Sequence, residues 1–78
     1  MINNLKLKIE DKCGFEIKQL SNCESLSMLI FMETGNDISY NTLRRLFGLV
    51  KKTNPSKSTL NILSQYLGYK NYDTFCSK

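Results

Sequence analysis

Residues 35–48 read GNDISYNTLRRLFG, and the interpretation of the whole chain turns on them. Ser39 is suited to cap a helix, its hydroxyl accepting from a free backbone N–H one turn in, and Ile38 can staple onto Leu43 at the fourth helical position. Leu43, Leu46, Phe47 and Val50 recur at helical spacing and define one apolar stripe. The positions left over are Tyr40, Asn41, Arg44, Arg45, Lys51 and Lys52, all polar or cationic donors. A helix that is apolar behind and donor-rich in front suits a major groove, where amides and guanidinium groups read base edges and lysines hold phosphates. The same pattern also describes an ordinary solvated helix.

The 78 residues make one domain, 1–78, with a thin core. Charge divides unevenly along it. Residues 1–37 hold four lysines against six acidic groups, whereas residues 38–78 hold seven Lys/Arg against Asp73 alone, so the total of +4 conceals a basic second half. That asymmetry favours a polyanion, and nucleic acid over membrane, since no segment is apolar for long enough to span. Cys13, Cys23 and Cys76 are odd in number, form no CxxC pair and have no His to join them. They read as small core residues in a reducing cytoplasm, with no metal site or disulfide framework. The opening MINNLKLKIEDK alternates apolar with charged residues and lacks the uninterrupted apolar stretch of a signal peptide, so a cytoplasmic location is expected. With no His, no nucleophile elbow and no phosphate-binding glycine loop, catalysis is not expected, nor is a cofactor.

LKLKI, residues 5–9, alternates like a strand, while Leu5, Ile9 and Cys13 repeat at four like a helix. The helix is favoured because Gly14 supplies a left-handed cap and Lys6 can pair with Glu10 across one turn. Phe15 and Ile17 lie in a connector expected to fold back on the core. Ser21 with Glu24 forms a capping-box pattern for the next helix. Its Cys23, Leu26, Met28, Leu29, Ile30, Phe31 and Met32 cover more than one face, which predicts the most buried helix of the molecule. Gly35 ends it. Further on, Pro55 breaks the chain and Ser56 caps a helix carrying Leu60, Leu63 and Leu67, closed by Gly68. A last short helix from Asn71 contributes Phe75 and Cys76, and Tyr66, Tyr69, Tyr72 and Phe75 recur every third position, as hairpin packing or, alternatively, a dimer contact. The expectation is an all-α bundle of about five short helices packed around the second and third. It divides into an N-terminal helix and connector at 1–20, two helices and a loop at 21–54, and a helical hairpin at 55–78.

In that order, the sequence resembles the lambda-repressor and Cro-type helix-turn-helix family. The residues that carry the likeness are Thr34-Gly35, Ile38-Ser39, Thr42-Leu43 with Arg45-Leu46, Pro55-Ser56, Thr59-Leu60, and Leu67-Gly68 with Phe75 beyond. The likeness as a whole covers about Cys23 to Phe75, two-thirds of the chain. Asn36 and Asp37 make the turn two residues longer than the family's, and Phe31 stands where the family has a small residue between the two helices. The resemblance implies that Ser39, Tyr40, Asn41 and Arg44 lie at or near base edges. It also implies that Lys51, Lys52, Thr53 and Asn54 of the loop, with Lys57, meet the DNA backbone, and that Asn22 reaches a flanking phosphate. Arg45 either joins that surface or pairs with Glu33 or Glu24. The implied function is sequence-specific binding of double-stranded DNA by a small bacterial or phage transcriptional regulator acting as a homodimer on a two-fold site. The alternative is a helical protein-interaction or adaptor module that turns the same basic face to an acidic protein partner. A membrane or small-molecule partner is not expected.

Overall fold

A computed structural model describes residues 2–49 and 55–77. The chain forms five helices in these regions: α1 (Ile2–Cys13), α2 (Leu20–Thr34), α3 (Tyr40–Leu46), α4 (Lys57–Tyr66) and α5 (Tyr72–Cys76). No strand occurs among the described residues, which settles the reading of LKLKI for helix. Leu5 and Ile9 on α1 are fully buried, because their spacing of four puts them one above the other on the face turned to the core. Gly14, at φ +87°, ends α1 and donates its N–H to the Glu10 carbonyl. The Glu10 carboxylate does not take the expected part in a Lys6 pair. It accepts the Ile17 backbone N–H at 2.9 Å, a bond that draws the connector down and seats Ile17 in the core.

α2 begins two residues earlier than the Ser21 and Glu24 pattern predicts, with Gln19 as its N-cap. Asn22 takes the role expected of Glu24. Its side-chain oxygen accepts the backbone N–H groups of both Lys18 and Gln19 at 3.1 Å, satisfying two donors from one atom, while Ser21 stays exposed in the first turn. Cys23, Leu26 and Ile30 form the buried stripe. The expectation that α2 is enclosed on several sides fails: Met28, Phe31 and Met32 face solvent, because α3 and α4 between them cover only one side of the helix.

Gly35, in the left-handed region at φ +75°, stops α2, and its N–H bonds to the Phe31 carbonyl. The Thr34 hydroxyl donates to the Ile30 carbonyl and accepts the Asn36 N–H, while the Asn36 amide donates to the Gln65 side chain of α4. Asn36, one of the two residues that lengthen this connection, therefore anchors it. α3 is shorter than its apolar spacing suggests. Gly48, at φ +77°, turns the chain after Leu46, and the Leu49 N–H returns to the Arg44 carbonyl. Phe47 is half-buried beyond the helix end, and Val50 lies outside the described residues. Lys51 and Lys52 thus come after α3 has ended.

Ser56 caps α4 by accepting the Thr59 N–H, and Asn71 caps α5 by accepting the Thr74 N–H at 2.8 Å. α4 packs on α1, α2 and α5, while α3 leans on α2. The bundle is therefore centred on α2 and α4, not on α2 and α3 as expected; α4 brings Leu63, Ser64 and Tyr66 to the interior. The Ser64 hydroxyl is satisfied by the Leu60 carbonyl within its own helix. Tyr69 meets Phe75 edge-on at 5.2 Å between ring centroids and Tyr72 stacks on Phe75 at 6.1 Å, so the aromatic spacing is intramolecular packing. Among the described residues no helix is long and apolar enough to cross a membrane.

Candidate nucleic-acid interface

The candidate surface is built from the first turn of α3. Ser39 stands at its N-cap with an extended backbone, and its Oγ accepts the Asn41 N–H at 3.1 Å. Ile38, Leu43 and Leu46 behind it are buried to within 5% exposure. The helix is therefore fixed in rotation: with that stripe inward, Tyr40, Asn41 and Arg45 are exposed and Arg44 is half-buried along the edge towards α2. The Ser27 hydroxyl of α2 donates to the Ile38 carbonyl and holds the entry to α3 against the preceding helix. Ser27 is the small residue at this contact. Phe31, expected to stand between the two helices, lies outside it at 53% exposure, one turn further along and rotated outward.

Asn41 and Arg44 are joined. The Arg44 Nη1 donates to Asn41 Oδ1 at 2.8 Å, a link between residues three apart on one helix face. A carboxamide oxygen has two acceptor positions, so Asn41 keeps one, together with both its amide hydrogens, for an external group. Among the described residues neither Arg44 nor Arg45 meets a carboxylate, and the alternative pairing of Arg45 with Glu33 is not made. Glu33 is taken by Lys12 at 3.6 Å, whose ammonium also lies 5.0 Å from the centre of the Tyr66 ring. The α3 face accordingly carries charge that is free to act outward, whereas Lys12 of α1 is matched internally.

The remaining candidates divide. Asn22 is half-buried at the start of α2, and its side-chain oxygen is committed to the cap described above. Lys57, the first residue of α4, points its ammonium at both carboxylate oxygens of Asp73, at 3.0 and 3.2 Å. This pair is exposed on both sides and is therefore weak enough to be given up to a phosphate. Lys51, Lys52, Thr53 and Asn54 lie outside the described residues. What the sequence brings together on one face is thus Ser39, Tyr40, Asn41, Arg44 and Arg45.

The sites flanking this face are apolar or buried. Burial raises the Cys23 thiol above its ordinary value, the Arg44 guanidinium pulls it part of the way back, and Glu24 adds to the rise. Cys23 is a core residue, as its spacing indicated, whereas Cys13 and Cys76 are half-buried. The apolar outer side of α2, formed by Met28, Phe31 and Met32, was not anticipated as a surface. Its only trace in the sequence is that apolar residues surround that helix. Protein-family models, curated proteins and solved structures offer no match to the chain.

Proposed function

We propose that this protein binds double-stranded DNA in a sequence-specific manner, presenting α3 to the major groove as the second helix of a helix-turn-helix, and serves as a small bacterial or phage transcriptional regulator. The observation that supports it most is the linked Asn41–Arg44 pair, which stands on the outward face of a helix whose reverse side is locked into the core. Two pre-positioned planar groups, one a carboxamide and one a guanidinium, match the donor and acceptor pattern of adenine and guanine edges. Tyr40 and Ser39 flank them at the tip of the helix, and Arg45 is exposed beside them. The +6 surplus of residues 38–78 supplies the long-range attraction that brings a duplex to this side.

Selection of bound duplexes from a random pool tests the reading directly, and an enriched motif is the expected result. Asn41→Ala and Arg44→Ala should each weaken the selected site by about 1–3 kcal/mol while changing non-specific binding little. With about six phosphates engaged, log affinity should fall against log salt with a slope near −5. Binding that ignores salt, or that survives both substitutions unchanged, removes the proposal.

A further inference from the structure

The outward side of α2 carries a surface that the duplex-binding reading does not use. Met28, Phe31 and Met32, at positions i, i+3 and i+4, form one contiguous strip with exposures of 65, 53 and 74%. Side chains of roughly 200 Å² each expose about 400 Å² of apolar area in this state, the size of the largest patch a monomer ordinarily leaves in water, and one that is often functional. Leu20, 45% exposed, extends the same side of the helix two turns earlier. We infer that this strip is a homodimer interface, in which α2 packs antiparallel on α2 of a second copy.

The choice of occupant follows from area and charge. Two such strips face to face remove about 800 Å² of apolar surface. With Ser25, Leu29 and Gly35, which lie level with the other copy's α2 at a crossing centred on Ile30, as the rim, the buried total comes to about 1,000 Å², the size of a weak specific interface. α2 contains no Lys or Arg, and its only charges are Glu24 and Glu33, the latter already met by Lys12. An antiparallel crossing centred on Ile30 sets Met28 of each copy against Met32 of the other. It leaves the two Glu24 carboxylates about 18 Å apart along the helix axes, beyond effective screening distance. A parallel crossing would instead place Glu24 beside its own counterpart. The antiparallel arrangement also buries no cation, so the positive surplus carried by residues 38–78 stays in water. Because Ser27 bonds the Ile38 carbonyl, α3 travels with α2, and the pair would display two α3 helices held in fixed relation. None of this depends on whether the chain binds DNA.

Sedimentation equilibrium of the whole chain, from ~10 µM to ~1 mM, should show the mass doubling from 9.0 kDa. Met32→Asp and Phe31→Ser should each weaken the dimer by at least about tenfold while the helical circular dichroism of the monomer is retained. In dimers mixed from isotope-labelled and unlabelled wild-type chains, the Met28 and Met32 methyl groups should show contacts between copies, a readout that needs no substitution. A chain that stays monomeric throughout this range overturns the inference. So does a dimer indifferent to both substitutions, or one without the methyl contact.

Discussion

α2 and α3 are consecutive, share a contact and bury aliphatic stripes of the same kind, yet they turn opposite chemistries to solvent. On α3 both leucines are inside, and the outer side is phenol, carboxamide and guanidinium. On α2 three large apolar residues remain outside although Cys23, Leu26 and Ile30 already fill the inner stripe. The contrast separates two uses of a surface helix. A donor-rich face suits a partner that brings its own charge, and an apolar face suits a partner that brings another apolar face. A helix whose apolar residues exceed its buried stripe is therefore one whose burial is incomplete in the single chain.

The most severe way to break the comparison is to attack what the two helices have in common. Leu26→Ala and Leu43→Ala each remove a fully buried side chain and should each cost about 2–5 kcal/mol in urea unfolding, a large part of the stability of so small a domain. Met32→Ser, on the outer side of α2, should change the monomer's stability by no more than about 0.5 kcal/mol. A penalty for Met32→Ser close to that for Leu26→Ala would mean that the outer strip is buried in the monomer and that the distinction between the helices is false.

A smaller effect is expected where α3 begins. Ser39→Ala removes the acceptor for the Asn41 N–H and should cost about 1 kcal/mol, and restoring a cap with Asp should recover most of it. Because this cap also fixes the first turn that carries Tyr40 and Asn41, duplex affinity should fall beyond what the stability change accounts for. If affinity is untouched, the first turn of α3 is not the reading element. Asp73→Asn is milder still. The exposed ion pair it breaks is worth about 0.2–1 kcal/mol, and freeing Lys57 should tighten duplex binding and steepen its salt dependence. Unchanged binding would place the start of α4 away from the phosphates.

How much of this was legible in the sequence depended on how local the determining physics was. Ser39, Ser56 and Asn71 emerge as caps because the capping acceptor and its donor are two or three residues apart, and Gly14, Gly35 and Gly68 close their helices because a positive φ is a property of the residue itself, whereas Gly48, inside a stripe that runs on to Val50, gave no such signal. The inward direction of Leu43 and Leu46 follows from spacing against an unambiguously polar opposite face. α2 offered no such contrast: with apolar residues on both sides, periodicity cannot say which stripe is covered, and the answer depends on where α3 and α4 lie. Side chains with two suitable partners were equally opaque. Glu10 chose the Ile17 N–H over Lys6, Glu33 chose Lys12 over Arg45, and Asn22 displaced Glu24 at the cap. Each choice was decided by the path of the connector or of another helix.

The subtlest test joins the two helices, and it is silent at neutral pH. Burial, opposed by the Arg44 guanidinium and reinforced by Glu24, leaves the Cys23 thiol with a pKa above its unfolded value. Burial, with Cys13 and then Glu33, does the same to the Tyr66 phenol. In both cases the folded chain keeps a proton that the unfolded chain surrenders, so the contribution is complete below the ordinary thiol and phenol range and declines as pH climbs through it. Urea midpoints taken from about pH 7 to about pH 10 should therefore fall, and Cys23→Ala should flatten the earlier part of the decline. Arg44→Gln removes the group that moderates the thiol, so the thiol should rise further and the decline should become steeper. Should Arg44→Gln leave that slope as it was, the Arg44 side chain does not reach over the buried face of α2, and the outer surface of α3 would be electrically independent of the helix that supports it.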